Sequence, residues 1–177
     1  MTDGNTRRDK IIKMLTSSSI PVSGGKLAKE FGVSRQVIVQ DIALLRAENK
    51  NILSTYKGYI IEENNSNKKY TRSFHVKHTE EDIEDELNTI VDAGGRVLDV
   101  VVEHSVYGAI TADLILNSRK DVREFTEKLK ENNAKQLMSL SDGTHYHTVC
   151  ADSIQILDYI TEELRRKGYL IDVQGGR

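Results

Sequence analysis

"LAKEFGVSRQVIVQDIALLRAE", residues 27–48, decides the fold of the first third of the chain, because two helical patterns flank three residues that read as a tight turn. Gly32 accommodates a left-handed backbone, and Ser34 is a natural cap for the helix that follows. That helix, Arg35 to Glu48, repeats Ile38, Ile42 and Leu45 at spacings of four and three, which turns them inward. Arg35, Gln36, Val39, Gln40, Ala43 and Arg46 are left facing outward. Upstream, Gly24–Phe31 makes a short helix behind a Ser23 cap. Thr6–Thr16 makes an earlier one, with Ile11, Ile12, Met14 and Leu15 on one side, ended by "SSSIPVSGG". Downstream, "ILSTYKGYIIEE" changes to two short β-prone runs with Lys57-Gly58 as the turn. Three helices and a hairpin form a winged helix-turn-helix whose third helix enters a DNA major groove.

Chemistry on that helix supports the reading. Ser34 and Arg35 lie at its start, Gln36 and Gln40 can reach base edges through their amides, and Val39 sits between them. Lys26, Arg46 and Lys57 are placed to hold phosphates, positioning the module without reading sequence. The alternative is a solvated helix face in a protein-binding winged helix. The face carries few charges for a DNA reader, so useful affinity calls for a dimer. "SGGK" lacks the spacing of a phosphate loop.

The whole chain carries a net charge of −2 over 177 residues, and this conceals an asymmetry. Residues 1–62 hold ten Lys/Arg against six Asp/Glu, and residues 63–177 fifteen against twenty-one, so +4 is followed by −6. A polyanionic partner is expected for the first part alone. "ENNSNKKYTR", residues 63–72, has the composition of a linker, dividing a domain at 1–62 from one at 73–177. The single cysteine, Cys150, excludes an intrachain disulfide and a zinc-ribbon pattern, and in a Thr-Val-Cys-Ala run it reads as a small core residue. No apolar stretch approaches membrane-spanning length and "MTDGNTRRDK" is no targeting peptide, so a soluble, cytoplasmic protein is expected.

The second module alternates strand and helix patterns. Strands are expected at Arg72–His78, Val97–Glu103, Tyr107–Leu116 and Thr144–Ala151. Helices are expected from Thr79 to Ala93, with Asp82 in a capping-box position, from Ser118 to Asn132, and from an Asp152 cap to Lys167, with Ile154, Leu157, Ile160, Thr161 and Leu164 on one side. This order is that of an α+β sandwich of ferredoxin-like type with one additional helix, although strand order cannot be read from it.

All five histidines lie in this module. His145 and His147 project from one face of their strand and offer half of a transition-metal site, or are ordinary strand residues. Glu86 lies on the edge of the apolar stripe of Ile83, Leu87, Ile90 and Val91, where carboxylates seldom sit without a partner. A strand end and the second turn of its following helix can converge, so His78 and Glu86 can complete a set of three imidazoles and one carboxylate, suited to zinc, nickel or iron. The competing reading of Glu86 is an ion pair at a solvated helix edge. His104 and Tyr107, at the hairpin connection, either face the same cavity as ligand-binding residues or lie on the surface, and Tyr107 is equally suited to a packing role.

"LAKEFGVSRQVIVQDIALLRAE", "EHSVYGAITADLIL" and "SDGTHYHTV", in this order, resemble the bacterial repressors of NAD biosynthesis genes that join a winged helix to a C-terminal 3H domain. The resemblance covers nearly the whole chain. It implies a dimeric repressor of NAD-biosynthesis or nicotinate-uptake genes, bound to operator DNA with nicotinic acid as co-repressor. It also implies a divalent transition metal at His78, Glu86, His145 and His147. Two other functions use the same ligands: a metal-sensing regulator, and a metal-dependent enzyme joined to a DNA-binding domain. The enzyme is disfavoured because His104 is the sole further acid-base candidate, and no catalytic residue is assigned.

Overall fold

A computed structural model describes residues 3–48, 50–61, 69–131 and 137–171. The chain divides into two compact units, Met1–Ser66 and Asn67–Arg177. Most of the expected linker lies outside the described residues. Its last three residues, Tyr70 to Arg72, instead begin a strand.

The first unit has helices α1 (Gly4–Thr16), α2 (Gly24–Phe31) and α3 (Arg35–Ala47), then an antiparallel hairpin of β1 (Ile52–Thr55) and β2 (Gly58–Ile61). Both expected caps are present: the Ser23 and Ser34 hydroxyls accept from the N–H groups of Lys26 and Val37, and Gly32 ends α2 at φ +63°. Ile11, Leu15, Leu27, Ile38, Ile42 and Leu45 close one core. The turn of the hairpin is Tyr56-Lys57, one residue earlier than the sequence suggests. Gly58 is needed for another reason, since Val22 bridges to Tyr59 and a Cβ on Gly58 would stand 2.3 Å from the Val22 carbonyl oxygen.

One buried charge ties this unit together. Asp41, 2% exposed on α3, accepts from Arg7 Nε at 2.6 Å and from Arg8 at 3.3 Å, so two cations of α1 serve the fold. Leaving such a carboxylate unpaired costs several kcal/mol.

The second unit contains β3 (Tyr70–Lys77), α4 (Ile83–Asp92), β4 (Arg96–His104), β5 (Gly108–Leu116), α5 (Arg119–Glu131), β6 (Thr144–Ala151) and α6 (Ile154–Arg166). A 3-10 turn at Glu80–Asp82 precedes α4, with Asp82 accepting from both the N–H and the hydroxyl of Thr79. The cap of α6 is Ser153 rather than Asp152. Ile154, expected inside, is 46% exposed, and Leu157, Ile160 and Leu164 form the buried stripe.

The sheet is fully antiparallel in the order β3-β6-β4-β5. The strands flanking each crossover are therefore separated by one antiparallel strand, the split βαβ arrangement. β6 runs between β3 and β4 in the sheet interior. Its odd-numbered residues His145, His147, Val149 and Ala151 are buried, opposite Val76, Phe74 and Val97 on the neighbouring strands. Residues 169–171 extend along the outer edge of β3 through Tyr169 O, Ile171 N and a Val76–Leu170 bridge.

Candidate metal centre

Each polar member of the cluster is set in place by a different local rule. Alternation along β6 puts His145 and His147 on one buried face, their rings 4.8 Å apart and nearly perpendicular. Helical periodicity puts Glu86 in the buried stripe of α4, where it is 0% exposed. His78 follows β3 directly and meets His145 edge-on, with ring centroids again 4.8 Å apart. Gly143 joins them. At φ +79° its carbonyl accepts from His78 N and from His145 Nδ1, and a Cβ there would lie 2.5 Å from the His78 carbonyl oxygen.

The tautomers follow from the partners. His78 Nδ1 contacts Thr79 O at 2.7 Å, His145 Nδ1 contacts Gly143 O at 3.1 Å, and His147 Nδ1 contacts Asp99 O at 2.6 Å. A carbonyl only accepts, so each ring donates from Nδ1 and, when neutral, carries its lone pair on Nε2. The Asp99 carbonyl is available because the β4–β6 register breaks between Val97 and Val101, freeing that group from the ladder. Asp99 also accepts from Thr148 N through its side chain, which fixes the break against β6.

Glu86 stands among these acceptors. Its Oε2 lies 3.5 Å from His147 Nε2 and 3.9 Å from His78 Nε2. Among the described residues neither oxygen of Glu86 has a hydrogen-bond partner, nor does His78 Nε2. Ligand atoms of His78, Glu86 and His145 all lie within 4.8 Å of one another, and His147 joins the group through Glu86. Donors about 2.1 Å from a shared tetrahedral ion stand ~3.4 Å apart, so small side-chain movements close the set. Nδ1 bonded to a backbone carbonyl with Nε2 turned inward is the usual orientation of a metal-bound imidazole. The residues therefore fit a divalent transition ion. The ion-pair reading of Glu86 at a solvated edge does not describe this geometry, since Glu86 is fully buried among imidazoles.

Without a metal, one proton partly replaces the cation. Burial pushes the Glu86 carboxyl up, but the fields of His147, His145 and His78 outweigh it and hold the group below its ordinary range. Burial likewise lowers His147, and the Glu86 charge reverses this, leaving His147 above its ordinary value. His145 is pushed down to about 4, by burial first and then by the His147 charge.

Four further contributors carried little signal in the sequence. Gly143 and Asp99 act through backbone carbonyls, and Thr79 does the same for His78. Tyr169 places its ring 5.5 Å from that of His78, while its hydroxyl donates to Asp85, which also binds Lys167. Only Gly143 offered a hint, as a glycine directly before a strand.

His104 and Tyr107 are not part of the cluster. Val101 is opposite Tyr146, so His104 at the end of β4 comes level with the residues just before β6. Its Nδ1 accepts from the N–H groups of Val106 and Tyr107, and Tyr107 is 77% exposed with its ring 4.8 Å from that of His104. His75 lies on the opposite sheet face, stacked on Tyr146.

In the first unit, Lys26, Arg35, Gln36, Val39 and Gln40 are exposed. Ser34 is occupied by its capping bond, and Arg46 donates to Ile52 O and Ser54 Oγ, anchoring the hairpin to α3. Lys57 lies half-buried at the hairpin turn, over the Tyr56 ring.

Residues 71–173 match the 3H domain family and residues 7–60 an HTH domain family. The chain is 42% identical over 166 residues to the probable transcription repressor NiaR of Thermotoga maritima, covering 94% of both proteins. It is 41% identical over 170 residues to the transcription repressor NadR of Bacillus subtilis, covering 95% of this chain and 94% of that protein. A protein of Methanothermus fervidus described as uncharacterized is 33% identical over 105 residues, which is 16% of its length.

Proposed function

The chain belongs to the family of NiaR and NadR transcription repressors with a helix-turn-helix and a 3H domain, and from that premise we propose that it represses genes of NAD biosynthesis or nicotinate uptake, with nicotinic acid as co-repressor. It acts in the cytoplasm as a homodimer on operator DNA, since paired winged helices read two half-sites and one weakly basic face binds poorly alone. Among the described residues no helix is long and apolar enough to cross a membrane. Exposed Arg35, Gln36, Val39 and Gln40 face the bases, and Lys26, Lys57, Ser34 and Arg46 line the backbone side, the last two through whatever hydrogen-bonding capacity their structural bonds leave.

The observation that carries the effector reading is the buried set of Nε2 atoms around a carboxylate without a donor. We assign His78, Glu86, His145 and His147 as ligands of nickel, zinc or iron. A bound metal supplies a Lewis-acidic position that a pyridine carboxylate can occupy, and we assign His104 and Tyr107, at the same end of the sheet, as further contacts of such a ligand. Regulation then requires that the ligand favour the DNA-binding arrangement over another by differential affinity.

The test is binding to promoter DNA of NAD-synthesis genes, with and without nicotinate, by chelated and metal-restored protein. Binding enhanced by nicotinate only in the metal-restored protein supports the proposal. Metal-dependent binding indifferent to nicotinate replaces it with a metal sensor, and turnover of a pyridine compound replaces it with an enzyme.

A further inference from the structure

At the far end of β6 from the histidines, a pocket of about 180 Å³ is lined by Lys69, Arg96, Asn117 and Asp152, together with Cys150 and Ala151. Arg96 opens β4 and pairs through its backbone with Cys150. Its Nε is buried and has no hydrogen-bond partner among the described residues. A guanidinium does not deprotonate in a protein, so this group remains a donor that calls for an acceptor, and no described residue supplies one. Asp152 on the rim forms no ion pair with Arg96 or Lys69. The N–H groups of Gly94 and Gly95, also in the wall, are already bonded to Val91 O and Ile90 O, so the free donors are side chains.

A second groove of the same unit, about 270 Å³, makes the contrast. It too is rich in cations, but Arg119 pairs with Asp92, Arg166 with Glu163 and Lys167 with Asp85. An anion entering there has to displace a carboxylate already in place. At Arg96 no described carboxylate is paired with the guanidinium, so an anion meets a cation without displacing one.

We propose that Lys69, Arg96 and Asn117 form a binding site for a small oxyanion, a carboxylate or phosphate group. The pocket volume lies below the ~300 Å³ at which ordinary ligand pockets begin, which limits the occupant to a small ion or the anionic end of a larger molecule. Arg96 offers its planar fork, Lys69 adds charge, and Asp152 opposes the ligand with its own charge. The site is independent of the metal and of the nicotinate reading above.

The test uses the full-length chelated protein at constant ionic strength, titrated with inorganic phosphate in one arm and acetate in the other. The Nε–H resonance of Arg96 is followed by NMR. A saturable shift in at least one arm is expected, and the arm saturating at lower concentration identifies the oxyanion. Arg96→Gln should weaken binding ~10-fold or more and Lys69→Gln ~3-fold, as loss of a bidentate and of a single charge-assisted contact requires. Asp152→Asn should tighten it. If Arg96→Gln does not fold, the opposed effects of the two rim variants carry the test. Absence of saturation in both arms, or equal response in wild type and both rim variants, overturns the site. Because metal is absent, either result leaves the nicotinate reading standing or falling on its own experiment.

Discussion

Replacing Glu86 by Gln separates a metal centre from a buried ion pair, because the two predict opposite consequences. The substitution keeps the shape of a side chain that is 0% exposed and removes its charge. With metal bound, a charged ligand is lost, and affinity should fall beyond the ~10–100-fold typical of changes to residues that merely orient ligands. At metal held 100-fold above the wild-type Kd, binding stabilises the fold by ~2.7 kcal/mol. For a unit of this size that corresponds to roughly 10–20 °C in Tm. Glu86→Gln should therefore lose most of this increment. In chelated protein near pH 8 the order should level or reverse. There the wild type buries a carboxylate whose one charge partner is a His147 proton that is lost as pH rises, whereas the Gln amide can donate to the Nε2 of His78 or His147 at any pH. The assay is thermal unfolding of both proteins with metal and with chelator. If chelation leaves the wild-type Tm unchanged, or if Glu86→Gln is destabilised equally in both conditions, Glu86 is a structural ion-pair partner and the metal assignment is wrong.

Other outcomes follow from the same geometry. In chelated protein His145 titrates near 4 against an ordinary 6.5, so between these values the unfolded chain binds more protons. Its contribution is complete above pH 6.5 and lost as pH falls, ~3 kcal/mol by pH 4. His147, held above its ordinary value, contributes in the opposite sense, favouring folding at low pH and losing that contribution as pH rises past its folded value. Urea unfolding at pH 7 and pH 4.5 should show His145→Gln with a smaller acid loss than wild type; parallel curves would refute this. Gly143→Ala places a Cβ 2.5 Å from the His78 carbonyl at φ +79° and should cost ~1–3 kcal/mol, with weaker metal binding by calorimetry. Asp41→Ala removes the acceptor shared by Arg7 and Arg8 and should destabilise the first unit by ~1.5–3 kcal/mol in denaturant, without altering metal affinity.

The winged helix was almost wholly legible, since its information is local. Caps at Ser23 and Ser34, the left-handed Gly32 and the spacing of Ile38, Ile42 and Leu45 each act within a few residues. The β-turn slipped by one because Gly58 answers to Val22, thirty-six residues away in the chain, rather than to the turn. Asp41 gave no sign of its role for the same reason, its partners lying on another helix. In the second unit the element order was legible, and the four cluster residues were reached from strand alternation and from one carboxylate on an apolar stripe.

Sequence by itself determined which side chains share a face: His145 with His147, and Glu86 with Leu87 and Ile90. These are consequences of the periods 2 and 3.6, which every short segment carries within itself. Only the tertiary structure decided that the faces meet. Strand order β3-β6-β4-β5 places β6 between the strand leading to His78 and the strand whose irregularity frees the Asp99 carbonyl. That order depends on how helices and strands far apart in the chain cover one another, a global packing balance that no local pattern records.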